Sequence, residues 1–498
     1  MYLVKNKWLC VFVMLIKKGK VIERFLGIVH VADTTSLSLK EAIIALLNEH
    51  SLSLSSVRGQ GYDGASNMKG EINGLKTLIM NETPSAYYVH CFAHQLQLTL
   101  VVVSKKSKDC GWLFDTLGDL LNVVGVSCKR KDMLREKQAE TVVKALEDGE
   151  IESGKRLNQE LGLGRPGDTR WGSHYKLILN VIALYPVIRV VVDSIGNDAR
   201  SDDDARKADH VSFAIESFNF IFMIHLMKKI FGIVNELNKA LQKKDQDIVN
   251  AMSLVSLTKE RLQDMRENGW ESLIETTTLF CDKNGIPIVD MDDVFVPPGR
   301  KKRGRLDTTN YHHFRIEVFL GIIDLQLQEI NNRFNEVSME LLNCMSSLSP
   351  LNNFSSFDKN KVLKLAEFYP NEFSIVELLS LDDQLDNYIA DMRRSNGFCG
   401  LKDLGELSMK LVETEKHQVY QQVYLLIKLV LILPVATAGV ERAFSSMMIV
   451  KNRLRNSMGD QLLNDCLVTF IERDVFIQVS DDAIMKRFQG MQNRRGKM

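Results

Sequence analysis

Residues 8–30 read WLCVFVMLIKKGKVIERFLGIVH, and the reading of this stretch decides the fold class. Two runs rich in β-branched and aromatic residues, Trp8–Ile16 and Val21–Val29, flank the short polar turn KKGK with Gly19 inside it, a pattern that predicts an antiparallel hairpin. Downstream, Ser38–Glu49 has helical spacing behind a Ser/Thr-rich cap region, and Val57–Tyr62 is a short strand ending at Asp63. Gly64–Met80 reads as a helix entered through small residues, Ala86–Phe92 as a strand and His94–Val103 as a helix. The resulting order, β-β-α-β-α-β-α, is an α/β layer pattern with a mixed sheet.

From about residue 112 to 430 the character changes to long helical periodicity with almost no strand signal. Helices are expected over Lys137–Leu146, His174–Val191, Val211–Leu241, Ile248–Met265, Phe314–Leu342 and Val362–Phe368. Polar or Gly/Pro-containing stretches at Ser201–Asp209, Asp290–Asp307 and Ser395–Gly405 read as linkers. A final helical segment runs from Val419 to about Phe476. The fold class is therefore α/β plus all-α.

The chain has 498 residues, 45% of them hydrophobic, with 63 basic and 63 acidic side chains, so no global field draws it onto a polyanion. Nucleic-acid binding would have to come from local patches. Eight cysteines at 10, 91, 110, 128, 281, 344, 399 and 466 form no CxxC pair and no disulfide-dense cluster, which fits a reducing compartment. The apolar runs Val11–Ile16 and Leu425–Leu433 fall short of the ~18 to 20 residues that span a bilayer, so no membrane partner is expected. The opening MYLVKNK lacks a signal-peptide cleavage pattern, and the run that follows it reads as a strand.

Several residues could carry chemistry. Asp63 sits where a strand ends and a helix begins, a place where an acid can hold a divalent cation; an ordinary helix N-cap is the plainer account. Glu441 lies between the apolar run that starts at Leu425 and the basic Lys451, Arg453 and Arg455. His90, Cys91 and His94 cluster at a strand-to-helix transition, with too few ligands for structural zinc; a buried Cys with a hydrogen-bonded His fits the count better. Arg170 and Trp171, after a Gly/Pro loop, could hold phosphate and stack on an extruded base, although large aromatics mainly serve cores. Arg300, Lys301, Lys302, Arg303 and Arg305 follow Pro297 and Pro298, as a nuclear-import or phosphate-binding patch or as a solvated loop.

Four motifs occur in order over nearly the whole chain: GYDGASNM from Gly61, HCFAHQLQL from His90, TRWGSHY from Thr169 and VERAFSSMMIVKNRLRNSMGDQLLNDCL from Val440. Together they resemble the hAT (hobo, Activator, Tam3) transposase superfamily, in particular domesticated plant-type members with a C-terminal dimerisation region. The resemblance implies an RNase H-like core interrupted by a large helical insertion. Residues 1–105 would be the first part of that core, 106–404 the insertion with a basic linker at 297–305, 405–476 the last core helix with the dimerisation region, and 477–498 a basic tail.

By the same resemblance, Asp63 matches the second Asp and Glu441 the Glu of a carboxylate triad that holds Mg2+ or Mn2+ for phosphodiester transfer. Arg170 and Trp171 match a pair that handles flipped-out DNA, and Cys91 and His94 match a Cys-x-x-His signature. Leu462, Leu463 and Leu467 would form the apolar face on which subunits pair. The implied partners are DNA, through terminal inverted repeats in the ancestor, and further copies of the chain, at least a dimer; the implied location is the nucleus. The first Asp has no counterpart, so the core is expected to lack its first strand and the chain to be N-terminally truncated, without the family's upstream zinc finger. Gly439 also stands where many members carry Ser. The expectation is a transposase-derived, catalytically inactive protein that dimerises and binds DNA. A fragment of an active DDE-type enzyme and a helical interaction scaffold are the alternatives.

Replacing Arg300, Lys301, Lys302 and Arg303 by alanine is expected to abolish nuclear accumulation of a fluorescently tagged chain. Unchanged localisation in living cells would remove the basic run from the argument.

Overall fold

The computed structural model describes residues 2–5, 7–125, 127–147, 161–167, 171–197, 202–243, 246–296, 308–334, 339–452, 455 and 457–491. The hairpin read from the sequence is present as β2 (Trp8–Lys17) and β3 (Lys20–His30), joined through Lys18 and Gly19, whose φ values of 52° and 76° suit a two-residue turn matched to the strand twist. Ahead of it stands β1 (Tyr2–Lys5), antiparallel to β2 with Tyr2 opposite Val11 and Lys5 opposite Trp8. The expectation that the chain opens with two strands is corrected to three, because the backbone of Tyr2–Lys5 adds a ladder on β2 ahead of the hairpin. Along its outer edge, β1 covers only the first part of β2. Beyond it, an open groove of about 230 Å3 is lined by Val13, Leu15, Ile43, Leu54, Val57 and Pro434 among others.

Both faces of this small sheet are buried, which explains why its strands read as nearly continuous apolar runs. Leu9 and Val11 point into a core with Leu39, Ile43, Leu46 and Leu47 of α1 (Ser36–Glu49), whose N-terminus is capped by Thr35 accepting from the Ser38 N–H. Trp8, Cys10 and Phe12 point the other way, into a second core. The pairing register shifts between Val11 and Phe12, so that Val11 faces Gly27 and Phe12 faces Phe25. This bulge lets Phe25 and Ile28, three residues apart, share one face with Phe12.

A parallel pair, β4 (Gly59–Tyr62) and β5 (Tyr87–His90), forms the second sheet. The single helix expected over Gly64–Met80 is two short ones, Ser66–Lys69 and Leu75–Met80, because Gly70 and Gly74 interrupt it. Past β5 comes α2 (Phe92–Lys106).

The remaining chain is helical, with three further corrections. Ser201–Asp209 is no linker: from Asp202 it forms the helix Asp202–Ile215, its first-turn Asp202, Asp203 and Asp204 favoured by the partial positive charge at a helix start. His174–Val191 divides into Trp171–Ala183 and Tyr185–Asn197. Phe314–Leu342 is a π-helical stretch His312–Leu320 followed by Gly321–Phe334 and Met339–Ser346. Among the described residues, no single helix is long and apolar enough to cross a membrane.

Two compact units emerge, residues 1–94, 240–253 and 335–498 in one, and 95–239 with 254–334 in the other. The second is all-helical around Phe218–Leu241, a helix apolar on most sides, with Phe222 ringed by Trp270 and Phe314 at centroid distances of 6.0 and 4.9 Å. In the first unit, residues 335–404 belong with the strands rather than with the helical stretch expected to begin at 106. Arg58 pairs with Glu372, and Tyr87 donates a 2.5 Å hydrogen bond to the Phe368 carbonyl while its ring meets Tyr369 edge-on.

Asp247 precedes the helix Ile248–Asn268 and accepts the Asn250 N–H at 2.8 Å. Burial, with a smaller contribution from the Asp403 charge, pushes its carboxyl up to about 6, against backbone hydrogen bonds that pull it down. A folded-state value above the unfolded one means the favourable protonated form is fully held below about pH 4 and lost as pH rises through about 6. Between those limits the wild type should lose on the order of 3 kcal/mol of stability relative to Asp247→Asn, which keeps the capping oxygen. Denaturant unfolding of both proteins at pH 4 and pH 7 checks this, and parallel pH profiles would refute it.

Candidate functional site

Three chain segments meet at the C-terminal end of β4 and β5. The Cys91 N–H donates to the Tyr62 carbonyl at 3.1 Å, and the Phe92 N–H donates to the Val435 carbonyl at 2.9 Å. The incoming segment continues into α3 (Ala438–Val450), which carries Glu441 in its first turn. Asp63 follows directly on β4. Both acids are half-buried.

Asp63 is not the helix N-cap that its position suggested. That place falls to Ala65, without a side-chain cap, while Asp63 Oδ1 stands 3.5 Å from the Ala65 N–H it accepts. Gly64, next to it, is required by a close approach: a Cβ there would lie 2.5 Å from Cε1 of the buried His90. The His90 ring in turn stands 5.8 Å from that of His94.

Cys91 is buried, and its thiol accepts two hydrogen bonds from Thr437, one from the backbone N–H and one from the hydroxyl, both at 3.3 Å. The Glu441 N–H then donates to the Thr437 carbonyl at 3.0 Å. Burial pushes the Cys91 thiol up, the Thr437 hydrogen bonds pull it back, and the charge of Glu441 adds to the rise. The thiol therefore stays protonated and serves as an anchor that sets α3, and with it Glu441, against the strand ends. Sequence reading assigned Cys91 a buried role but missed Thr437, which no motif singled out.

A third acid was also missed. Glu23, on β3, is half-buried, lies 3.7 Å from the Arg442 guanidinium, and occupies the space beside Gly439, where a Cβ would come within 2.3 Å of Oε1. That contact gives a physical reason for glycine at a position where the resemblance suggested Ser.

Among the described residues, no group of three or more His, Cys, Asp and Glu side chains is placed to hold a metal ion. β1, where the resemblance would put the first Asp, reads YLVK. Asp63 and Glu441 thus do not make up the ligand set that a pair of divalent ions needs.

The other expected sites divide. Arg170 and the run Arg300, Lys301, Lys302, Arg303 and Arg305 lie outside the described residues, and Trp171 is described only as the start of the helix Trp171–Ala183. Of the three leucines expected to form a pairing face, Leu463 and Leu467 are fully buried in the chain's own core with Trp8, Phe25 and Val440; only Leu462, 55% exposed, faces outward. The reason is the 3.6-residue period of α4 (Asp460–Ile471): positions 463 and 467 share the side turned to the hairpin, where Asn464 Oδ1 accepts the Ile28 N–H at 2.9 Å. Farther on, Glu472 accepts the Phe25 N–H and pairs with Arg24, both at 2.7 Å.

Two family models match parts of the chain. Residues 4–74 match the ZMYM1/FAM200, RNase-like domain, and residues 406–475 match the hAT family C-terminal dimerisation region. The human protein named 52 kDa repressor of the inhibitor of the protein kinase is 21% identical over 466 residues, covering 91% of this chain and 58% of its own length. Its mouse counterpart is 21% identical over 470 residues with the same coverage. The chain thus spans somewhat over half the length of these curated relatives.

Cys91→Ala should leave two buried Thr437 donors without an acceptor and lower stability by about 1–3 kcal/mol, with Cys91→Ser losing less. Guanidinium unfolding midpoints test the order, and equal losses in the two variants would contradict the anchoring role.

Proposed function

We propose that this chain is a hAT transposase-derived protein that acts as a dimer and, in its 498-residue form, does not cut or join DNA. The observation that carries this reading is the geometry around Cys91. The Thr437 contacts set Glu441 at the strand end where Asp63 stands, yet the strand beside β2 offers no further acid and Glu23 lies beside Arg442. A scaffold that keeps two carboxylates of a triad in place supports descent from a phosphodiester-transfer enzyme. The missing ligand argues that the transfer step itself is lost.

The two family matches support the same reading from both ends of the chain, one on the strands that carry the hairpin and β4, the other on α3 and α4. In this account the strands and α3 form an RNase H-like core, with the helical unit as its insertion. The helical unit binds DNA through Arg170, Trp171 and the basic run at 300–303, and the protein works in the nucleus. The human and mouse relatives are named as repressors, and a regulatory role exercised by binding is the one we assign here.

The purified chain, incubated with labelled hAT terminal-repeat DNA and either Mg2+ or Mn2+, should give no more nicking than the Asp63→Asn/Glu441→Gln variant. It should also sediment as a dimer at micromolar concentration. Nicking that the double substitution abolishes would overturn the proposed inactivity.

A further inference from the structure

The last described helix, α5 (Asp481–Gly490), is well capped but poorly supported. The Ser480 hydroxyl accepts the Ala483 N–H at 3.3 Å, Asp481 and Asp482 fill the first turn, and Arg487 sits in the last, an arrangement matched to the helix dipole. Yet every residue from 481 to 490 is exposed, among them Ile484 at 42% and Met485 at 47%. A helix of ten residues is marginal in water without packing. The segment leading into it is apolar and exposed as well, with Phe470, Val475, Ile477 and Val479 between 42% and 68% accessible. Contiguous apolar surface of this kind marks an association site.

We propose that α5 packs antiparallel against α5 of a second copy of this chain, across a two-fold axis, so extending the dimer face. This rests on the dimeric reading given above. Charge identifies the occupant. Asp481 and Asp482 occupy the first turn of the helix, and Lys486 and Arg487 lie in its C-terminal half. In an antiparallel pair each acidic end lies beside the partner's basic end, the self-complementarity that a two-fold contact requires; a parallel pair would set like charges together. Size points the same way. A stable dimer buries about 800 Å2 per partner, far more than one ten-residue helix offers, so α5 must continue an interface rather than constitute one. The matched dimerisation region ends at residue 475 and α5 begins at 481.

Sedimentation equilibrium of the full chain tests this. Asp481→Lys with Asp482→Lys, and separately Lys486→Asp with Arg487→Asp, should each raise the dimer dissociation constant about tenfold at low salt. Mixed one to one, the two charge-reversed variants should form heterodimers close to wild-type tightness, because each reversed end then meets an opposite charge on the partner. Each helix in the mixture keeps its own unfavourable charges, so recovery reports pairing between copies rather than the stability of α5 itself. Dimers that form equally tightly in both charge-reversed variants overturn the α5 contact and leave the dimeric reading standing. A wild-type chain that is monomeric at micromolar concentration overturns both.

Discussion

Everything at the acidic end of β4 and β5 depends on one buried thiol that accepts two hydrogen bonds from Thr437, a residue 346 positions away. Closing a loop of that length costs roughly 5 kcal/mol in chain entropy, and two hydrogen bonds return only about 1 kcal/mol each. The balance comes from apolar burial by the same C-terminal segment. Val440, Ala443, Phe444, Val450, Leu463 and Leu467 all enter the core beneath the hairpin, and fully burying each large side chain is worth about 1.5–3 kcal/mol. Energy and position are thus separated: the leucines and valines hold the segment down, and the thiol decides where Glu441 stands.

This division of labour makes the β-hairpin the common floor of the unit. Its bulge near Phe12 aligns one face with α1 and the other with α3 and α4, so each later element packs against a surface that the first thirty residues prepare. The C-terminal carboxylates tighten the fit. Glu472 closes on Arg24 and the Phe25 amide, and Asn464 on the Ile28 amide, satisfying backbone donors on the outer edge of β3, where no strand pairs.

Much of this was legible from the residues. The two apolar, β-prone runs around Gly19 announced the hairpin, and the strand ending at Asp63 placed that acid where β4 now ends. What escaped was nonlocal. Whether Leu463 and Leu467 faced a partner or the chain's own sheet could not be read from periodicity, which shows that a helix has an apolar side but not what covers it. Composition misled at Ser201–Asp209, where an acidic run that looked like a linker proved to be a favourable helix start. Thr437 was invisible for the opposite reason: its role is a single contact with Cys91, and no local pattern encodes a partner so far away.

That separation has a consequence for biosynthesis. Strands β4 and β5 leave the ribosome with Cys91 long before Thr437 is made, and at 5–20 residues per second the interval is roughly 20 to 70 s. Throughout it, the side of the hairpin bearing Trp8, Phe12 and Phe25 lacks its covering helix and is open to water. Newly made chains therefore pass through a prolonged stage in which this apolar face is uncovered.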